Sequence, residues 1–153
     1  MTSEVVFTRA GSVAEVIERL VQATSTSVDA ALYRFNSARL ACVLEDALRR
    51  GVSLRLVLDH GKYEESPATR QLLAGGRIPC RLLRGRQGPG SKMHHKFVIL
   101  DARMVLTGSY NWTVESEELN YENLVVLRDS QSVRNYAQEF EALWAEAAEV
   151  GQS

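Results

Sequence analysis

The stretch that decides the fold is residues 93–111, which read MHHKFVILDARMVLTGSYN. It contains two short apolar runs, 97–100 and 104–106, whose aliphatic and β-branched content predicts two paired strands. Pairing of these strands would bring together the polar or glycine positions at their ends, which are His94, Lys96, Gly108, Ser109 and Asn111.

These residue types indicate chemistry at phosphorus. An imidazole can attack a phosphorus atom or carry a proton near neutral pH. A lysine ammonium and neutral hydrogen-bond donors can hold the non-bridging oxygens of a phosphoryl group. The stretch therefore suits phosphoryl transfer without a metal ion.

The spacing of the stretch resembles the HKD signature of the phospholipase D superfamily. The signature has the form H-x-K, four residues, D, six residues, G-S-x-N, and its positions here are His94, Lys96, Asp101, Gly108 with Ser109, and Asn111. A Glu122-Asn123 pair follows, as in the small bacterial endonuclease branch, which has one motif per chain. The resemblance extends over essentially the whole chain and implies a single phospholipase D-like domain, residues 1–153, with its HKD motif at 93–111.

The rest of the chain alternates short apolar runs with amphipathic stretches. Ser12 with Glu15 forms a capping box before a helical pattern, Asn36 or Ser37 can cap a second helix, and Gly51 can end it. The alternation predicts an α/β fold, a mixed, largely parallel β-sheet flanked by helices on both faces. Two loops are also predicted, a polar one containing His60 and a mobile basic one at Arg84 to Gly90. In the last helix, an aromatic face from Val133 to Trp144 is predicted to be core.

The resemblance also implies the assembly. Displacement at a phosphodiester through a covalent intermediate needs a nucleophile, an acid for the leaving oxygen and a base for water. In the family, two motifs meet at a pseudo-twofold axis, where one histidine forms a phosphohistidine and the other serves as acid and then base. A chain with one motif is therefore expected to form a homodimer with the active site at the twofold interface. His94 would act as nucleophile in one subunit and as general acid/base in the other.

The other site residues are assigned on the same resemblance. Lys96 and Asn111 are expected to hold phosphate oxygens, and Ser109 either adds a donor or supports the turn with Gly108. Glu122 is expected to hold the second nitrogen of a histidine and fix its orientation. Asp101 is either catalytic or pairs with a neighbouring cation to hold the strand geometry. Strand alternation turns His95 to the face opposite His94.

The charge of the chain is nearly balanced overall, at −1, but unevenly distributed. No acidic residue lies between Glu65 and Asp101, and that interval contains Arg70, Arg77, Arg81, Arg84, Arg86, Lys92 and Lys96. A polyanion would be attracted to this part of the chain, and Arg84, Arg86 and Lys92 are candidate substrate-binding residues beside the motif. The alternative is that the charges only solvate a surface.

Cofactors and membrane segments are not indicated. His60, His94, His95 and Asp101 show no H-x-H or H-E-x-x-H spacing, so we expect no metal and no other cofactor. Cys42 and Cys80 lack C-x-x-C spacing and are expected to be reduced core thiols. No apolar run approaches the roughly 20 residues that cross a bilayer, which predicts a cytoplasmic protein without stable membrane insertion.

Three functions remain open from the sequence. The basic interval favours a weakly sequence-selective endonuclease acting on DNA, RNA or both, with Tyr110, Trp112 and Tyr121 available to stack on bases or to pack on the scaffold. A lipid phosphodiesterase of the phospholipase D type uses the same chemistry, and a motif cannot distinguish the two. The third function is a non-catalytic module for nucleic-acid binding or dimerisation.

Overall fold

The computed structural model describes residues 4–150, in which nine strands form one sheet. The strands are β1 (Glu4–Phe7), β2 (Ser27–Leu32), β3 (Ser53–Asp59), β4 (Cys80–Gly85), β5 (Gly88–Lys92), β6 (Lys96–Leu100), β7 (Met104–Gly108), β8 (Asn123–Leu127) and β9 (Ala148–Glu149). Their order is β1-β8-β7-β6-β2-β3-β4-β5, and β9 pairs with β4.

The sheet is mixed, as predicted, but it is not largely parallel. Within residues 4–150, parallel strand pairing is confined to β2 with β3 and β3 with β4. The strands β1, β8, β7 and β6 run antiparallel to their neighbours. The connection between β6 and β7 is only three residues long, which is far too short for the crossover that parallel pairing needs.

Six helices accompany the described strands. They are α1 (Val13–Gln22), α2 (Ala38–Arg49), α3 (His60–Glu65), α4 (Pro67–Leu73), α5 (Val114–Glu118) and α6 (Ser130–Glu146). The predicted caps are confirmed, because Ser12 Oγ accepts the Glu15 N–H at 3.0 Å and Ser37 Oγ accepts the Leu40 N–H at 3.1 Å. Gly51 follows α2 with a φ of +91°, which only glycine adopts easily.

The helices cover both faces of the sheet, as predicted. On one face α1 and α2 pack on a core that includes the fully buried Ile17 and Leu44. On the other face α6 covers a second core, to which it contributes the predicted residues Val133 and Phe140. Trp144 continues the aromatic face of α6 and is stacked by the guanidinium groups of Arg55 and Arg81.

The predicted basic loop is wrong, because most of it is a hairpin. Strand β4 continues to Gly85 and β5 starts at Gly88, so two residues connect them. Gly88 has a φ of +71°, and its carbonyl accepts the hydroxyl of Ser91 at 2.7 Å. The glycine that suggested disorder therefore serves the tight turn.

Two smaller predictions are also wrong. His60 is not in a loop, since it opens α3 and its Nε2 lies 2.8 Å from a carboxylate oxygen of Glu64. Both cysteines are free, but Cys42 is exposed on α2 and is not a core thiol.

Residues 4–150 contain no helix with the length and apolar character that a bilayer crossing requires.

Candidate functional site

Strand register collects the signature residues at one end of the sheet. Lys96 opens β6 and pairs with Leu32, the last residue of β2. On the other side of β6, β7 runs antiparallel and ends at Gly108, which pairs with Leu124 of β8. The segments adjoining these residues, 33–36, 93–95, 109–111 and 122–123, therefore meet at this end. We call it the motif end of the sheet.

His94 and Lys96 lie against Tyr33 at the motif end. The His94 ring packs on the Tyr33 ring with centroids 4.5 Å apart, and Tyr33 is only 8% exposed. Lys96 Nζ is 3.4 Å from His94 Nδ1 and donates to the His94 carbonyl oxygen at 3.1 Å. The cation and the imidazole thus form one unit on a rigid aromatic support.

This environment disfavours the charged form of His94. Desolvation lowers the pKa of His94 below its ordinary value, and the positive charges of Lys96 and Lys92 lower this pKa further. Desolvation also lowers the pKa of Lys96, and the negative charge of Glu122 partly offsets this decrease. A neutral imidazole beside an ammonium group is the state that a nucleophile attacking a phosphodiester requires.

Ser109 and Glu122 are bonded to each other rather than to His94. Ser109 Oγ donates to Glu122 at 2.6 Å and accepts the backbone N–H of Asn123 at 3.0 Å. Ser116 and Asn120 also donate to the Glu122 carboxylate. These contacts favour the scaffold role of Ser109, and within this chain they do not provide the predicted pairing of Glu122 with a histidine.

Gly108 is required where β7 and β8 approach closely. A side-chain Cβ at this position would lie 2.8 Å from Oδ1 of Asn123 and closer still to the carbonyl oxygen of Asn123. Its φ of +141° is also one that residues with a side chain rarely adopt. The glycine of the signature thus permits the packing that places Ser109 on Glu122.

Asn111 has spare hydrogen-bonding capacity. Its Oδ1 is buried without a hydrogen-bond partner among residues 4–150. Its backbone N–H is held by Ser116 Oγ at 3.3 Å, just after the turn at the motif end. A carboxamide oxygen only accepts hydrogen bonds, so the predicted contact of Asn111 with a phosphate oxygen would come from its Nδ2–H groups.

Asp101 does not belong to this site, which corrects its inclusion among the catalytic candidates. It follows β6 at the end opposite Lys96, and five residues of extended chain span about 16 Å. Its carboxylate accepts the backbone N–H groups of Ser25, Thr26 and Ser27. Although desolvation opposes its charge, these hydrogen bonds lower the pKa of Asp101 to about 2. The expected cation is replaced by backbone donors.

Sequence reasoning missed two residues that shape the site. Asp59 is 2% exposed, and its two carboxylate oxygens accept the N–H groups of Met93 and Lys62, both at 2.9 Å. It therefore fixes the segment immediately before His94. Tyr33 was missed because it follows β2 in an ordinary apolar run. Asp59 could have been found, because an aspartate that ends a strand and begins a helix is a recognisable cap.

His95 has different neighbours from His94, although both residues precede β6 and the predicted strand alternation does not apply to them. Its Nε2 lies 2.9 Å from Glu139 on α6, and its ring contacts Phe97 edge-on. Tyr110 and Trp112 are each 2% exposed and are core residues, so neither is available to stack on a base. Tyr121, in contrast, is 78% exposed and lies under the guanidinium of Arg9.

The candidate substrate-binding residues border a groove next to His94. The groove, with a volume of about 430 Å³, lies between the β4–β5 hairpin and α6. Its lining includes Arg84, Arg86 and Lys92 on the hairpin, and Glu139 and Glu146 on α6. Within residues 4–150, no cluster of three or more histidine, cysteine or acidic side chains is arranged to hold a metal.

Comparison with known proteins finds a family and curated relatives that match most of this chain. The family described as "Cardiolipin synthase, PLD-like domain" matches residues 16–144. The chain is 36% identical over 126 residues to the human mitochondrial cardiolipin hydrolase, and 33% identical over 128 residues to the mouse protein. These matches cover 82% and 84% of this chain but 48% and 56% of those proteins. The chain thus spans about half the length of these curated relatives.

Solved structures show the same fold. The chain is similar to Nuc from Salmonella typhimurium, described as a phospholipase D family member, with a TM-score of 0.88 and 23% identity. That match covers 99% of both chains. NucT from Helicobacter pylori matches with a TM-score of 0.86 and 18% identity, over 97% of this chain and 98% of the other.

Proposed function

Because the chain belongs to the phospholipase D superfamily, we propose that it is a metal-independent phosphodiesterase that uses His94 as its nucleophile. The observation that carries this proposal is the His94–Lys96 unit at the motif end. It combines a neutral imidazole with an ammonium group 3.4 Å away that can bind a phosphate oxygen. Lys96 and Asn111 would stabilise the charge that develops on the phosphorus oxygens.

The reaction needs a second imidazole, which a second copy of the chain would supply. In the first step a ring nitrogen of the neutral His94 forms a bond to phosphorus as the bond to the leaving oxygen breaks, and that oxygen takes a proton from the other His94, which enters the step protonated. In the second step the other His94 accepts a proton from water, and the water oxygen bonds to phosphorus as the phosphorus–nitrogen bond to the first His94 breaks. The twofold homodimer is thus part of the proposed mechanism.

The site within one chain lacks a group that orients His94 for attack. The neighbour of Nδ1 is the Lys96 ammonium, which is a donor, so this contact leaves the proton of the neutral ring on Nε2. A carboxylate at Nδ1 would instead place the proton of the neutral ring on Nδ1 and leave Nε2 unprotonated. We assign that role to Glu122 of the second copy, which would exchange part of its contact with its own Ser109 and Ser116 for the His94 ring.

An apolar patch supports assembly around this site. It consists of Phe7 and Tyr121, which line one pocket and are 54% and 78% exposed, and Leu119, two residues before Tyr121 in sequence, is 78% exposed. Phe7 pairs with Asn123, and Tyr121 precedes Glu122, so the patch borders the motif end. Exposed aromatic and aliphatic groups next to an incomplete site are suited to burial against a second copy.

For the substrate we propose nucleic acid, cleaved as a weakly selective endonuclease on DNA, RNA or both. The groove along Arg84, Arg86 and Lys92 leads to His94 and suits a polyanionic strand. The test is cleavage of labelled single-stranded and double-stranded DNA and RNA in excess EDTA across a salt series. Cleavage that persists in EDTA and weakens with salt is expected, and failure on every strand type would contradict the nuclease proposal.

The alternative substrate is a phospholipid, and the named relatives favour it specifically. Those relatives are described as mitochondrial cardiolipin hydrolases and are 36% and 33% identical to this chain. The same assay with cardiolipin and phosphatidylcholine distinguishes the two substrates. Hydrolysis of lipid without cleavage of any nucleic acid would establish the alternative. Tight nucleic-acid binding without any turnover would indicate the non-catalytic module.

A further inference from the structure

The lysines of this chain are few, and their ammonium groups lie close together. The sequence contains 15 arginines but only three lysines, which are Lys62, Lys92 and Lys96. Their ammonium groups lie 5.6, 6.0 and 5.4 Å from the centroid of the Tyr33 ring. Every lysine of the chain therefore converges on one buried tyrosine, although the three come from different elements, α3, β5 and β6.

This convergence concentrates positive charge. No two of the ammonium groups are farther apart than about 12 Å, twice the longest of those distances. Within residues 4–150, Lys62 forms an ion pair with Glu65 at 3.0 Å, whereas no carboxylate lies within 4.0 Å of Lys92 or Lys96. Since like charges at this range repel one another, the cluster favours an anionic ligand.

A cavity separate from the groove adjoins the cluster. It has a volume of about 240 Å³, and its lining includes Tyr33, Lys62, Asn36 and Ser66. It lies beyond the carboxyl ends of β2 and β3, since Tyr33 follows β2 and Lys62 is in the helix that follows β3.

We propose that Lys62 forms a second phosphate subsite, which binds the phosphate next to the scissile one in the substrate. Lys96 and His94 engage the scissile phosphate, and Lys62, whose ammonium group lies 5.6 Å from the centroid of the Tyr33 ring, binds the neighbouring phosphate. This inference rests on the proposed function and specifies its substrate as one with two phosphate groups joined by a short linker. A nucleic-acid strand and cardiolipin share this chemistry.

The choice of lysine fits this role. An ammonium is a compact point charge on a flexible stem and can follow a phosphate that moves during turnover. The hydrogen bond that Lys62 donates to Glu65 raises the pKa of Lys62, so its side chain stays charged. Glu65 is 67% exposed and can turn into solvent when a phosphate takes its place.

The test compares substrates that differ by one phosphate. One pair is a dinucleoside monophosphate and the same dinucleotide with a 5′-phosphate, and the other is phosphatidylglycerol and cardiolipin. The measured quantity is the ratio of kcat/KM for the two-phosphate substrate to kcat/KM for its one-phosphate partner. We expect Lys62→Ala to lower this ratio on the order of tenfold, as for loss of one charge-assisted contact, and Lys62→Arg to restore part of it.

Arg77→Ala is the matched control, because Arg77 is 72% exposed before β4, at the opposite end of the sheet. It removes the same charge and is expected to leave the ratio unchanged. A ratio that is the same in wild type and Lys62→Ala, or that falls equally in Arg77→Ala, would overturn the subsite. The substrate pair in which the ratio changes shows whether the second phosphate belongs to a nucleic acid or to a lipid.

A binding measurement separates this inference from the proposed function. If neither pair is turned over, the phosphodiesterase proposal fails, but the subsite still predicts tighter binding of the 5′-phosphorylated dinucleotide. Reductive methylation with a ¹³C label marks the three lysines and the amino terminus, and the Lys62→Arg variant identifies the Lys62 signal. A Lys62 signal that does not respond to the added phosphate, with equal affinity for both dinucleotides, would overturn the inference.

Discussion

The two ends of the β6–β7 hairpin differ in how they use polar groups. At the far end, the Asp101 carboxylate is occupied by the N–H groups of Ser25, Thr26 and Ser27. At the motif end, His94 Nδ1 and Lys96 Nζ lie 3.4 Å apart, and among the described residues no carboxylate lies within 4.0 Å of either side chain. The signature therefore contains two kinds of residue, those that hold the hairpin and those left available for a ligand. The presence of a residue in the signature therefore does not by itself show that the residue takes part in catalysis.

The largest effect is expected at Gly108, where the motif end is packed most tightly. Gly108→Ala would force a Cβ against the backbone of Asn123 at an unfavourable φ. We expect a loss of about 3 kcal/mol in the free energy of unfolding, measured by urea denaturation, together with loss of turnover. The control is Gly11→Ala, because nothing lies within 4 Å of a Cβ at Gly11. Equal stability of the two variants would contradict the packing argument.

A pair of helix caps compares the two ends directly. Asp59 caps α3 and also holds Met93 at the motif end, whereas Asp129 caps α6 at the far end of β8. Asp59→Ala is expected to lower stability by about 2 kcal/mol and kcat by on the order of tenfold, since His94 loses its anchored neighbour. Asp129→Ala is expected to lower Tm without changing kcat. Similar effects of both variants on kcat would remove the positioning role of Asp59.

Asp101→Asn tests the far end through its dependence on pH. The folded-state pKa of about 2 lies below the ordinary value of roughly 3.9. Its contribution is therefore fully present above pH 4 and is lost as pH falls through 2. At pH 7 the substitution is expected to reduce stability on the order of 1–2 kcal/mol, allowing for solvent screening. Urea denaturation at pH 7 and pH 2.5 should show a smaller difference from wild type at the lower pH.

The smallest effect is expected in the turn next to Asp101. Ala102 has a φ of +53°, in the left-handed region that disfavours residues with a Cβ. Ala102→Gly should relieve this strain and stabilise the protein by about 0.5–1 kcal/mol. The measurement is the shift in Tm at pH 7. A fall in Tm would show that the entropy lost by glycine exceeds the strain.

Sequence patterns predicted the fold class, the helix caps and the place of the signature, because these depend on local periodicity and capping chemistry. They did not predict the antiparallel half of the sheet, since strand direction depends on the length of each connection rather than on apolar content. The hairpin at Gly88 was missed for a related reason, because a glycine that allows disorder also allows a tight turn.

The site was predicted only in part, because spatial neighbours are not sequence neighbours. His94, Lys96 and Asn111 share one motif and lie at one end of the sheet, as the spacing indicates. Tyr33 and Asp59 reach the same place from β2 and β3, and no pattern around them signals this. The convergence of Lys62 on Tyr33 likewise requires the order of the strands.

One measurement tests the contrast between the two ends most directly. It is the initial rate of phosphodiester hydrolysis in excess EDTA for wild type, His94→Ala and Asp101→Asn, with the folded fraction of each protein measured by circular dichroism. We predict that His94→Ala has no activity above background, whereas Asp101→Asn retains wild-type activity per folded molecule. Hydrolysis by His94→Ala at the wild-type rate, or a loss of activity in folded Asp101→Asn equal to that in His94→Ala, would contradict the assignment of the active site to the motif end.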